Sequence, residues 1–532
     1  MNTIYYNGTI LTMDPHNEQA TAVYIKDGKI IKVGDDFSIL PLRQEETQVI
    51  DLQGKVMMPG FIDPHSHFIG VANSLSQCDL SDAVSFDDII NKMKAFIKEN
   101  PVKDGEWVFG TNYDHNFLKE KRHPDKLVLD QISKELPIVI IHASGHMGIA
   151  NSKALELQHI TDQTKDPDGG KYNRIEGTNE PNGYMEENAF TEFRNNTPMT
   201  DIGTLLKLVL KAQDIYASYG ITTVQDGMVT PPLFQLLKYV AESNMLQLDV
   251  VGFVDLDHSH DLIHENEYVN QYHHRLKLGG YKVFLDGSPQ GRTAWMSTPY
   301  QNAEDGYSGY PTLKDEHLYT LIETALSEDQ QLLAHCNGDA ASQQYIDQFE
   351  KVLQKHPNWE PHRPVMIHAQ LVRKDQLERM KKIDMMPSFF VAHTYYWGDI
   401  HIENFGKERA DHISPAKEAL DLGIPFTFHQ DSPVLPPDMM KTVWCAVNRQ
   451  TKNGQSIGDY EKIDVYNALK AITINGAYQY FEEDQKGSIE EGKLADLVIL
   501  DRNPLETDPK DLADITVLET IKEGKTIFKR EK

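Results

Sequence analysis

Two histidines one residue apart, His65 and His67, close the apolar stretch Met58 to Phe68 (Met-Pro-Gly-Phe-Ile-Asp-Pro-His-Ser-His-Phe). In an extended strand, residues i and i+2 project from one face, so both imidazoles are aimed at a single point. Two converging nitrogen donors make half of a metal site; a chance His-x-His pair in a loop is the competing reading. Further along, His335 closes Leu332-Leu333-Ala334-His335, His368 closes Val365-Met366-Ile367-His368, and Asp431 ends the run from Phe426. Lys282 lies inside Gly280 to Leu285. Four histidines, one lysine and one aspartate are the right types for two divalent ions sharing a bridging water. The lysine is the odd member. Burial and nearby cations lower a lysine pKa, and a neutral amine can react with carbon dioxide. The carbamate so formed is an anionic, two-oxygen ligand able to bridge two metals; an ordinary salt-bridged lysine is the alternative.

The elements that position these residues alternate. Short apolar strands are expected at Gly60 to His65, Ile221 to Asp226, Leu248 to Phe253, Gly280 to Leu285, Gln331 to His335, Val365 to His368, Met385 to Ser388 and Phe426 to Asp431. Between several lie helical patterns, such as Leu205, Leu208, Val209, Ala212, Ile215 and Tyr216 at spacings of three and four. Eight such strands favour a (β/α)8 barrel of TIM type over an open doubly wound sheet, and the six polar residues then fall at or near the strand ends where barrel active sites lie. No Gly-x-Gly-x-x-Gly follows an early strand, which weakens a dinucleotide-binding reading.

Both termini read as paired strands. Asp27-Gly28 joins Ala22 to Ile25 with Ile30 to Val33, and Glu523-Gly524 joins Glu519 to Lys522 with Lys525 to Phe528; both are hairpin signals. Either end alone has too few strands to be stable, so residues 1–57 and 482–532 are expected to build one small β-sandwich, with the barrel over 58–481. About 150 residues separate the first barrel strand from the second. A loop that long reads as an inserted subdomain, about 72–200, emerging at the catalytic end and expected to cover the site.

Composition excludes several classes. A net charge of −28 opposes a nucleic-acid partner, which needs clustered Lys and Arg. The apolar runs are far short of a membrane span, the N-terminus lacks the features of a signal peptide, and Cys78, Cys336 and Cys445 are too few and scattered for a disulfide framework. The chain reads as cytoplasmic, taking a small-molecule substrate, with a homodimer as the default assembly.

Several stretches together resemble the amidohydrolase superfamily, and within it the YtcJ-like (amidohydrolase 3) branch that includes N-substituted formamide deformylases. They are Pro59 to His67, Gly220 to Asp226, Lys282 to Ala294, His335 to Asp339 and Gly487 to Asp496. The resemblance implies His65 and His67 on one metal, His335 and His368 on the other, Lys282 as the bridge, and Asp431 as ligand and proton shuttle. One departure is Gln430-Asp431-Ser432, where Ser-Asp-aromatic is more usual. It implies hydrolysis of a carbon–nitrogen bond other than a peptide bond, with two zinc ions expected first and iron, manganese or cobalt admitted by the oxygen ligands. Two other readings compete. One is a mononuclear deaminase of a heterocycle using His65, His67, His335 and Asp431, with Lys282 structural. The other is a barrel kept as a binding protein, against which the complete ligand set counts. His146 in the insertion, Arg292 after the Lys282 strand, and His393 and Trp397 after the seventh strand are candidate substrate contacts, each with a packing role as its alternative. His115, His123, His258, His260, His273 and His274 read as surface residues.

Overall fold

Runs rich in Val, Ile, Leu and Phe that are buried on both faces make a parallel sheet. In the computed structural model, which describes residues 2–17, 19–100, 102, 105–198, 202–264, 266–301 and 303–531, eight such runs line up. They are β1 (Phe61–Ile62), β2 (Ile221–Val229), β3 (Asp249–Asp255), β4 (Leu276–Phe284), β5 (Gln331–Cys336), β6 (Val365–His368), β7 (Met386–Phe389) and β8 (Thr427–Phe428). They form one sheet in sequential order, β8 beside β7 through to β1. The sheet curls until the His67 N–H donates to the Ser432 carbonyl just past β8, 2.8 Å away. Amphipathic helices such as Pro231–Glu242, Asp315–Ser327 and Asp339–Lys355 connect successive strands. This is a TIM-like barrel.

A bulge in β4 decides which face its residues present. The register against β3 shifts between Gly252 and Phe253, opposite Leu278 and Gly280. Gly280 has φ +136°, and a Cβ there would lie 2.3 Å from the Gln331 carbonyl of β5. An extra residue in one strand re-aims the side chains after it. Lys282 consequently points into the barrel, fully buried, while Tyr281 points out toward Glu328.

The chain divides into two compact units. One comprises Met1–Ile69, Val209–Val283 and Asp315–Lys532, and the other Gly70–Leu208 and Phe284–Lys314. The first holds the barrel and two terminal sheets. A four-stranded sheet contains Asn2–Tyr6, Ala22–Lys26, Lys29–Gly34 and Gln48–Asp51. A six-stranded sheet runs Lys525–Lys529, Val517–Lys522, Leu497–Leu500, Val56–Pro59, Thr9–Leu11, Gln19–Ala20, so strands from both ends of the chain share it. Tyr5, Val23, Ile25, Met57, Leu497, Ile499 and Ile521 pack together as their common core.

The second unit is built on its own six-stranded mixed sheet: Gly170–Arg174, Pro181–Glu187, Met147–Ala150, Ile138–His142, Val108–Tyr113 and Cys78–Asp79. Its two cores follow the period of two along a strand: Ile138 and Ile140 enter one, Val139 and Ile141 the other. The sequence reading placed one insertion at about 72–200. The structure adds a second segment, Phe284–Lys314, which no sequence signal sets apart, and position 200 lies outside the described residues. His115 and His123, expected at the surface, are half-buried here, with the Tyr113 hydroxyl 3.0 Å from His123 Nδ1.

Candidate metal centre

The ligand-type residues of the first unit meet at the end of the barrel sheet. β1 stops at Ile62, so His65 and His67 sit beyond it in a turn rather than on a strand. Their convergence comes from local hydrogen bonds. Asp63 Oδ1 accepts from the His65 N–H at 3.3 Å, Ser66 Oγ meets the Tyr216 hydroxyl at 2.5 Å, and Asp226 Oδ2 accepts from the Ile69 N–H at 2.9 Å. His65 Nε2 and His67 Nε2 then lie 3.2 and 3.3 Å from the same atom, Asp431 Oδ1. Lys282 Nζ is 3.4 Å from His65 Nε2. Across the site, His335 Nδ1 and His368 Nε2 are 3.0 Å apart, and Asp431 Oδ2 is 3.9 Å from His368 Nε2. One carboxylate therefore spans two pairs of imidazoles.

Burial sets the protonation of this group. It holds His65 down to about 4, with Lys282 adding to the effect, and holds His368 well below the usual imidazole value. Burial lowers Lys282 to about 7 against the upward pull of Asp431. Burial pushes the Asp431 carboxyl up, but His65, His67 and His368 outweigh it and keep it well below the ordinary range. Near neutral pH His65 and His368 are therefore neutral imidazoles beside one carboxylate and a partly neutral amine. Asp431 Oδ1 is buried and accepts no well-formed hydrogen bond, although two ring nitrogens stand beside it. A buried carboxylate oxygen with two ring nitrogens beside it fits a cation. Ligand atoms of His65, His368 and Asp431 all lie within 4.8 Å of one another.

The family model described as the amidohydrolase family matches residues 48–528. The chain belongs to the amidohydrolase family. It is 29% identical over its whole length to a putative amidohydrolase YtcJ of Bacillus subtilis, covering all of that protein. It is 26% identical to an N-substituted formamide deformylase of Arthrobacter pascens, with 98% of each chain covered. Among solved structures it is similar to an uncharacterized metal-dependent hydrolase of Pyrococcus horikoshii OT3, at 27% identity and a TM-score of 0.76, covering 96% of this chain and 99% of that one.

Two residues of this amidohydrolase centre escaped the sequence reading. His429, just past β8, places Nε2 3.1 Å from His368 Nδ1 and Nδ1 2.9 Å from Ser388 Oγ. Its signal was present, since His429 and Asp431 repeat the one-residue spacing of His65 and His67. Gln225, in β2, places Oε1 2.6 Å from His65 Nδ1. Its amide nitrogen donates to the Pro64 carbonyl at 2.6 Å and the Tyr480 hydroxyl at 3.0 Å, which fixes which end faces the ring. His65 accordingly carries its proton on Nδ1 and presents a bare Nε2 to Lys282 and Asp431. No sequence pattern singles out Gln225.

His393 and Trp397 are buried after β7, with ring centroids 4.5 Å apart. Phe390 stands between them and the centre, 4.4 Å from His393 and 5.2 Å from His429. His393 Nδ1 also meets His401 Nε2 at 3.0 Å. His146 and Arg292 lie in the second unit. There His146 Nδ1 pairs with Glu187 Oε2 at 2.8 Å, and the Arg292 guanidinium lies 5.3 Å from the centroid of the Tyr300 ring.

Proposed function

We propose that this amidohydrolase is a divalent-metal hydrolase that cleaves a non-peptide carbon–nitrogen bond of a small molecule, of the amide or N-substituted formamide type. One observation carries the reading: His65, His67, Lys282, His335, His368 and Asp431 converge in one cluster, with the buried Asp431 Oδ1 3.2 and 3.3 Å from two ring nitrogens and in no well-formed hydrogen bond. His65 and His67 would hold one ion and His335 and His368 a second, with zinc favoured by the imidazoles. Ions at these positions supply charge that polarises a carbonyl and acidifies water.

The chain's own groups do the rest. Asp431 accepts the proton of the attacking water and returns it to the leaving nitrogen, acting as general base and then general acid. Gln225 and His429 hold His65 and His368 at fixed orientation through their second ring nitrogens. Lys282, lowered by burial to about 7, offers the neutral amine that adds carbon dioxide, releasing one proton and leaving a carbamate whose single negative charge is shared by two oxygens. The products are a carboxylic acid and an amine.

The test is metal content per chain and intact mass under native conditions, followed by turnover on amide and formamide panels for the native protein and Asp431→Asn. Two ions, one added carbon dioxide, and loss of turnover with metal retained in the variant are expected. One ion without the added mass replaces this reading with the mononuclear deaminase, and full activity of Asp431→Asn removes Asp431 from the mechanism.

A further inference from the structure

A second histidine-rich stretch, His258-Ser259-His260-Asp261-Leu262-Ile263-His264, follows β3 in the first unit. Its chain turns through a short 3-10 segment at His260–Leu262, which brings two imidazoles four residues apart onto one side. His260 Nε2 and His264 Nε2 are 3.1 Å apart. Both face one oxygen of a residue distant in sequence: Glu328 Oε1 lies 2.7 Å from the first and 3.2 Å from the second. Three donor atoms from three side chains therefore form a nearly equilateral triangle. A tetrahedral zinc ion bound at its usual distances separates its ligands by about 3.3 Å, so this triangle is one slightly contracted face of such a shell. An ordinary hydrogen bond explains His260 against Glu328. It gives no reason for a second ring nitrogen equidistant from both.

The surroundings suit ligation. Glu328 Oε2 accepts the Tyr281 hydroxyl at 2.6 Å, which leaves Oε1 to the triangle. The Tyr281 ring stacks on His260, with centroids 5.8 Å apart and planes 23° from parallel. An Asp261 carboxylate oxygen lies 3.8 Å from His260 Nδ1, which puts a negative charge on the side of the ring that carries the proton when Nε2 binds a metal. His264 is half exposed, at 51%, which gives an ion a path from solvent.

We infer that His260, His264 and Glu328 form a further divalent-cation site, separate from the barrel centre and taking zinc before harder ions. Two imidazole nitrogens and one carboxylate oxygen supply three positions, and water fills the fourth. The site is tied to the back of the strand whose front carries the catalytic cluster. Tyr281, which holds Glu328, and Lys282, beside His65, are neighbours in β4 with side chains on opposite faces.

The full-length protein, with its tightly held ions in place, is dialysed against micromolar zinc and its metal counted per chain, beside His264→Ala and Glu328→Gln. The native chain is expected to hold one ion more than either variant. Cobalt loading should give the native protein a tetrahedral visible absorption that both variants lack, and zinc should raise the melting temperature of the native protein alone. His264 is exposed enough that its replacement leaves the fold and the hydrolytic activity unchanged. Equal metal content and equal cobalt spectra in all three proteins would overturn the inference.

Discussion

Replacing Gln225 with leucine isolates one link between the scaffold and the metal centre. Gln225 makes three buried contacts: with His65 Nδ1, the Pro64 carbonyl and the Tyr480 hydroxyl. Leucine removes all three, but two of the partners keep other bonds. The Pro64 carbonyl still receives the Gln479 amide at 2.7 Å, and the Tyr480 hydroxyl still donates to the Asp63 carbonyl at 2.9 Å. Only the His65 ring N–H loses its acceptor. One buried donor left unmade costs about 1–3 kcal/mol of folding stability. Freed from the amide, the ring can carry its proton on Nε2 or rotate, and either change removes a lone pair from the centre. Loss of such an outer partner weakens metal binding by about 10–100-fold, or about 1.4–2.7 kcal/mol. The assay is competition for zinc with a chromophoric chelator, on native protein and Gln225→Leu of matched circular dichroism. Equal affinity in the two would refute the assignment of the His65 tautomer to Gln225.

Other outcomes follow from separate parts of the molecule. Asp249 is buried against Lys486 at 2.5 Å, Lys522 at 2.6 Å and Arg275 at 3.0 Å; Asp249→Asn leaves these cations to Glu482, Asp496 and Glu523 and should cost about 1–3 kcal/mol, read from the denaturant midpoint, with metal content unchanged. Burial pushes the Glu461 carboxyl up to about 7, so the folded protein binds a proton that the unfolded chain has released. That stability is complete below the ordinary value near 4.5 and is lost as pH rises through 7. Glu461→Gln should therefore gain on the native protein between pH 5 and 8, on the order of 2 kcal/mol, and parallel stability–pH curves would contradict this. Chelation should abolish hydrolysis, and zinc added back should restore it; activity surviving complete metal removal would discard the metal-dependent mechanism.

The barrel was legible because its strands are buried on both faces, so each reads as a short apolar run with a polar residue at its end, as in Leu332 to His335. The candidate ligands stand out in the sequence because imidazole and carboxylate contrast with such runs. The reason given for His65 and His67 needed correction, however: they converge through a turn pinned by Asp63, Ser66 and Asp226, since β1 ends at Ile62. Gln225 was invisible because its role depends on which end of an amide faces a ring, and that is set by Pro64 and Tyr480, far apart in sequence. The triangle around Glu328 was hidden for the same kind of reason: one partner is supplied by a segment 64 residues or more away from the two histidines.

The sheet shared by the two ends of the chain bears on how the protein is born. Val56–Pro59 runs directly into β1 and the first two histidines, and its partner on one side is Leu497–Leu500, paired from Val56 with Leu500 to Pro59 with Leu497. A further bond joins the Gly60 N–H to the Asp496 carbonyl at 2.8 Å. On a ribosome that partner emerges more than four hundred residues after His67, on the order of 20 to 90 seconds later at about 5–20 residues per second. Throughout that interval the segment leading to His65 and His67 has one open edge. The frame that aims the candidate ligands is thus completed only after translation, and a nascent chain released before its last strands holds those residues without it.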